Sequence, residues 1–125
     1  MVATAPKRLL IIDDDESLRE LFRITLEKAG YQVAGAADGL LGLAKAKVFK
    51  PALIVLDLMM PRLTGFDVLR RMPQEGLGAV PVIVITGYSD SAAEQVVRQE
   101  ANVVAFLRKP VKYAELAELI GRLLA

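Results

Sequence analysis

The sequence predicts a doubly wound α/β domain: five strand–helix units, (βα)5, building a five-stranded parallel sheet covered by helices on both faces. Three observations predict it. Short apolar runs alternate with amphipathic segments along the whole chain. The runs are nearly continuous in Val, Ile and Leu, as in strands buried on both faces of a parallel sheet. Chemistry-bearing residues follow the runs, and in open α/β sheets ligands bind beyond the carboxyl ends of the strands.

Leu9–Ile12 is the first strand. The first helix carries Leu18, Leu21, Phe22, Thr25, Leu26 and Ala29 on one face, and Gly30 is its left-handed stop. Gln32–Ala36 is the second strand. The second helix runs from about Gly39 to Phe49, with Asp38 as cap and Pro51 beyond its end. Ala52–Leu56 is the third strand. The third helix begins near Gly65, where Thr64-Gly-Phe-Asp67 has the form of a capping box, and Pro73 ends it. Val82–Ile85 is the fourth strand. The fourth helix begins near Ser91, with Ser91-Ala-Ala-Glu94 read as a capping box and Asn102 as the left-handed residue after it. Val103–Leu107 is the fifth strand, and the fifth helix carries Tyr113, Leu116, Ala117, Ile120, Leu123 and Leu124. Right-handed crossovers wind these units into one domain over residues 7–125, with residues 1–6 as a loose tail.

Composition narrows the chemistry. The 125 residues hold 16 Lys+Arg against 15 Asp+Glu, and the net charge of +1 argues against a large basic face for nucleic acid or anionic membrane. No cysteine is present, which removes disulfides, thiolate catalysis and thiolate metal sites. No histidine is present, which removes the commonest general base and transition-metal ligand. The longest uncharged run, Gly76–Ser89, is interrupted by Pro81 and is shorter than the roughly 20 apolar residues a membrane span needs. The N-terminus lacks the apolar region of a signal peptide, so a cytoplasmic location is expected.

The strand ends supply the remaining chemistry. Asp13, Asp14 and Asp15 follow the first strand, Asp57 the third, Thr86 and Gly87 the fourth, and Arg108, Lys109 and Pro110 the fifth. In a sheet of order 2-1-3-4-5 the first and third strands are neighbours, so Asp13, Asp14 and Asp57 converge. Two carboxylates ~4 Å apart repel by about 4 kcal/mol at an effective dielectric of 20. Such a cluster needs a cation or a proton, and oxygen-only ligands point to Mg²⁺ or Mn²⁺. Asp15 serves equally well as a simple helix cap. Three acids, one hydroxyl (Thr86) and one ammonium (Lys109) on one rim suit a phosphoryl group carried on Asp57.

Ile11-Ile12-Asp13-Asp14-Asp15, Leu53-Ile54-Val55-Leu56-Asp57-Leu58-Met59-Met60-Pro61 and Phe106-Leu107-Arg108-Lys109-Pro110 together resemble the marks of the receiver domain of two-component response regulators. The resemblance covers roughly residues 7–124 and implies a flavodoxin-like fold in a chemotaxis-regulator-like protein that is a phosphoacceptor switch, not an enzyme. It implies Asp57 as phosphoacceptor and a metal held by Asp13, Asp14, Asp57 and the backbone carbonyl of Met59. It further implies Thr86 as switch hydroxyl, Gly87 as a small residue leaving room for the phosphoryl group, Lys109 as phosphate partner before a cis Pro110, and Phe106 as the switch aromatic. On composition alone Phe106 is simply a core residue of the fifth strand.

A chain without histidine needs a partner as phosphoryl donor: a histidine kinase or a histidine phosphotransfer protein. The resemblance implies an output contact between the helix 4–strand 5–helix 5 face and a downstream protein or effector domain, with a homodimer through helices four and five as a further expectation. Met59 and Tyr88, bulky and poor as bases, flank the expected water path and predict slow loss of the phosphoryl group. Val111, Lys112 and Asn102 depart from the usual pattern; Lys112 in particular predicts a weakly capped fifth helix. Two other readings fit less well. A haloacid-dehalogenase-type phosphatase wants Asp at position 59, and a flavodoxin-like cofactor carrier wants a hydroxyl- and glycine-rich loop where Asp13–Asp15 stand. A receiver-like scaffold that is never phosphorylated has no use for all five polar residues.

Overall fold

The computed structural model describes residues 5–87 and 91–125. Five strands, β1 (Arg8–Ile12), β2 (Gln32–Ala36), β3 (Leu53–Leu56), β4 (Val82–Thr86) and β5 (Val103–Arg108), alternate with α1 (Glu16–Lys28), α2 (Gly39–Phe49), α3 (Gly65–Arg71), α4 (Ser91–Arg98) and α5 (Tyr113–Leu123). A short 3-10 turn at Pro73–Glu75 follows α3. The sheet order is β2-β1-β3-β4-β5 and every pairing is parallel. β4 runs one residue further than the sequence suggests, and so does β5. Thr86 and Arg108 are therefore the last paired residues of their strands rather than loop residues.

Alternation along the strands divides the core into two layers. Leu10, Ile12, Ile54, Leu56, Val82, Val84 and Phe106 face α2, α3 and α4, meeting Leu43, Ala46, Val68, Leu69 and Val97. Leu9, Ile11, Leu53, Val55, Ile83 and Ile85 face α1 and α5, meeting Phe22, Leu26, Leu116 and Ile120. The rings of Phe22 and Tyr113 join α1 to α5 edge to face at 4.9 Å. The central strands β1, β3 and β4 are buried on both faces. That double burial is why they read as continuous apolar runs instead of alternating ones.

Local caps fix where each helix begins. Asp15 accepts from the Leu18 N–H, and Asp38 from the Leu41 N–H. Thr64 and Asp67 form the reciprocal capping box expected of them. Gly30 takes the left-handed conformation after α1, with φ of 100°. Lys112, the residue before α5, gives the helix no side-chain cap.

Two expectations are corrected. Among the described non-glycine residues, positive φ occurs at Lys50 and Arg62, not at Asn102. Asn102 is buried and serves a different purpose: its Nδ2 donates to the Val80 carbonyl at 3.1 Å, and its own carbonyl accepts from the Val82 N–H. A polar side chain there ties the entry of β4 to that of β5, a tertiary role that local turn chemistry does not reveal. Ser91 is already inside α4, so it does not cap from outside. Its supposed partner Glu94 instead pairs with Arg98 and Arg108, at 3.3 and 3.0 Å.

Candidate functional site

The carboxyl edge of the sheet brings the three acids together. One carboxylate oxygen from each of Asp13, Asp14 and Asp57 lies within 4.8 Å of the others. Asp13 and Asp57 are 3% and 4% exposed, whereas Asp14 is open to solvent. This follows from register. β1 and β3 are adjacent and end level, Ile12 opposite Leu56, so the next residue of each strand is an aspartate. The Asp57 N–H donates to the Ile12 carbonyl at 3.0 Å, and the Asp13 N–H to that of Ala36 at 3.1 Å.

Each buried carboxylate has defined partners. Asp13 Oδ1 accepts from the Asp15 N–H at 2.9 Å, and Asp57 Oδ1 from the Met59 N–H at 3.2 Å. Lys109 Nζ spans the two other oxygens, 3.0 Å from Asp13 Oδ2 and 3.2 Å from Asp57 Oδ2. The Lys109 N–H donates to the Thr86 carbonyl at 3.0 Å, which fixes its backbone beside the end of β4. The Lys109–Pro110 peptide is cis, as expected. Thr86 is fully buried at the end of β4. Among the described residues, a Cβ added to Gly87 would meet nothing within 4 Å. The Met59 side chain is half exposed beside the acids. Tyr88 lies outside the described residues. Phe106 stands two residues before Arg108, the ladder partner of Thr86, with the guanidinium carbons of Arg98 and Arg108 5.5 and 5.6 Å from its ring centre. It is buried under α4, in the same core layer as Val97.

Burial raises the Asp13 carboxyl above its ordinary range, and the Asp57 charge adds to the rise; the Asp15 N–H and Lys109 offset only part of it. Burial pulls Lys109 down, but the two carboxylates outweigh it and hold the ammonium above the usual lysine range. An acid whose folded pKa is raised costs the folded state stability once pH exceeds its ordinary value of 3.8. Asp13→Asn is therefore expected to melt higher than wild type at pH 7 in the presence of EDTA. The gap should narrow as pH falls toward the carboxylate range. Calorimetry over a pH series checks this, and a lower melting temperature for the variant at pH 7 contradicts it.

Sequence reasoning missed two residues that shape the site. Arg19 of α1 donates from Nη1 to the Asp13 carbonyl at 2.7 Å. Gly65 lets α3 begin against the backbone just after β3: a Cβ there would lie 2.3 Å from the Asp57 carbonyl oxygen. Gly65 was legible only as a helix start. No local pattern marks the reach of Arg19.

The family model of the response regulator receiver domain matches residues 9–121. Among solved structures, a CheY-like response regulator receiver domain protein from Methanospirillum hungatei superposes with a TM-score of 0.86 at 32% identity, over 95% of this chain and 94% of that one. The chemotaxis protein CheY4 of Vibrio cholerae gives 0.83 at 31% identity, over 94% and 98%. The alkaline phosphatase synthesis transcriptional regulatory protein PhoP of Bacillus subtilis is 36% identical over 110 residues, 88% of this chain and 45% of that protein. The chain spans about half the length of the curated relatives it matches. The chain belongs to the response regulator receiver domain family. It has the CheY-like, flavodoxin-type fold and is a phosphoacceptor switch domain of two-component signalling rather than an enzyme in the usual sense. Its acidic pocket suits a divalent ion, and its family implies a histidine kinase as partner. Among the described residues, no helix is long and apolar enough to cross a membrane.

Proposed function

We propose that Asp57 accepts a phosphoryl group from the phosphohistidine of a histidine kinase or histidine phosphotransfer protein. One observation carries the reading: a lysine ammonium sits between two buried carboxylates, with a third, exposed carboxylate beside them. Three carboxylates and one ammonium leave the pocket about two negative charges, which matches a divalent cation. An all-oxygen donor set without nitrogen or sulfur suits Mg²⁺ or Mn²⁺. Asp13, Asp14, Asp57 and the Met59 carbonyl would hold it, and when bound it supplies neutralisation of phosphoryl oxygens.

The chain's own residues do the rest. An Asp57 carboxylate oxygen attacks phosphorus in line; an O–P bond forms as the P–N bond to the donor imidazole breaks. Lys109 follows the transferred charge and pairs with a phosphoryl oxygen. Thr86 donates its hydroxyl to another, and Phe106 responds two residues upstream of the Thr86 partner in the ladder. Coupling of about 1–3 kcal/mol is typical for such switches. The signal leaves through the α4, β5 and α5 face to a downstream protein or effector domain, and the same face would serve a homodimer. The setting is cytoplasmic, with neither membrane nor direct nucleic-acid contact by this domain.

Acetyl phosphate supplies a donor without a kinase. With Mg²⁺, intact mass should show one added phosphoryl group, and with EDTA none. An unchanged mass in Mg²⁺ overturns the reading.

A further inference from the structure

Asp13 is held by its backbone as well as by its carboxylate. Its N–H donates to Ala36 on β2, and its carbonyl accepts from Arg19 Nη1 at 2.7 Å. That carbonyl belongs to the peptide plane joining Asp13 to Asp14. The bond therefore sets the direction in which the exposed Asp14 carboxylate leaves the chain. Nothing in the phosphoryl chemistry above uses Arg19.

A second observation involves the same side chain. Gly35 sits inside β2, where a β-branched residue would suit the strand better. A Cβ built on it would lie 3.3 Å from Arg19 Cδ and 3.6 Å from Nε. Glycine in a strand marks close approach of another group; here that group is the arginine stem.

We propose that Arg19 is a positioning residue for the divalent cation, fixing the Asp13–Asp14 peptide, and that Gly35 keeps open the lane through which it reaches. The inference rests on the metal reading of the acidic pocket. It also predicts a sign. A guanidinium bonded to the Asp13 carbonyl, at the edge of the acidic pocket, repels a cation, so by charge alone its removal tightens metal binding. Loss of positioning loosens it, since groups that orient metal ligands typically contribute 10–100-fold in affinity.

The test is Mg²⁺ titration by isothermal calorimetry of wild type, Arg19→Met, Gly35→Val and the double variant. Each single variant should bind Mg²⁺ about tenfold more weakly. The double variant should be no weaker than Arg19→Met, because the valine acts only through the arginine. Unchanged or tighter binding by Arg19→Met overturns the proposal, and so do losses that multiply in the double variant. Gly35→Val keeps every polar side chain and carries the test should Arg19→Met fail to fold. A wild type that takes no Mg²⁺ refutes the metal reading itself, and this inference with it. A wild type that binds while both single variants bind equally well refutes the positioning role alone.

Discussion

Asp57→Asn is expected to take up no phosphoryl group from acetyl phosphate, while folding as well as wild type or better. The carboxylate is 4% exposed, and its two oxygens accept from the Met59 N–H and Lys109 Nζ. An asparagine of the same shape can keep one acceptor, but a neutral amide oxygen is too poor a nucleophile to displace a leaving group from phosphorus. The charge change works in the opposite direction on stability. Two carboxylates whose oxygens lie within 4.8 Å of each other repel by at least about 3.5 kcal/mol at an effective dielectric of 20, and Lys109 offsets part of this. Removing one charge should therefore stabilise the metal-free protein by about 1 kcal/mol, or roughly 3–6 °C for a domain of this size. The melting shift produced by Mg²⁺ should shrink at the same time. Intact mass and thermal melts with and without Mg²⁺ measure all three. Undiminished labelling of the variant would move the phosphoacceptor away from Asp57.

The opposed effects have one origin. The site concentrates negative charge at a place where the backbone, not the side chains, has fixed the geometry. β1 and β3 end level because their registers pair Ile12 with Leu56. Asp13 and Asp57 can then do nothing but face each other across the sheet edge. Lys109 comes from the far strand and reaches both only because its own N–H is pinned to Thr86. Stability is given up at a rigid edge so that a cation, and then a phosphoryl group, finds its counter-charges already placed.

Much of this was legible in the sequence, because the dominant signals are local or periodic. Double burial makes β1, β3 and β4 readable as apolar runs. Asp15, Asp38 and the Thr64–Asp67 box are caps whose partners lie within three residues. The acids and Lys109 stand immediately beyond strands, where the fold class places ligands. Features set by tertiary neighbours were not readable. Asn102 resembles a turn residue, yet is buried and bonded to Val80 across the sheet. Ser91 and Glu94 have the spacing of a cap, but Glu94 is claimed by Arg98 and by Arg108 on β5. Arg19 looks like one more charge on an exposed helix, yet its side chain passes close to Gly35 of β2 to bond the Asp13 carbonyl.

Gly65→Ala is expected to be the most damaging single-methyl substitution near the site. Gly65 is the first residue of α3, and its N–H donates to the Leu58 carbonyl at 2.9 Å. A Cβ there would stand 2.3 Å from the Asp57 carbonyl oxygen and 2.6 Å from Leu58 Cα. Both are backbone atoms, so no side chain can rotate away; either α3 moves or the chain after β3 does. Overpacking of this kind typically costs 1–3 kcal/mol, and a backbone obstacle places the expectation near the top, at about 3 kcal/mol. The displaced segment carries Asp57 and Met59, so Mg²⁺ affinity and phosphoryl uptake should fall together with stability. Gly121→Ala is the matched control. It lies within α5, where an added Cβ meets only Tyr31 Oη at an ordinary 3.8 Å. Alanine is there the better helix former and should stabilise by about 0.5–1 kcal/mol. Urea denaturation of the two variants should thus move in opposite directions from wild type. A Gly65→Ala protein as stable as wild type and labelled as fully would mean that the contact between α3 and the Asp57 backbone does not hold the site in place.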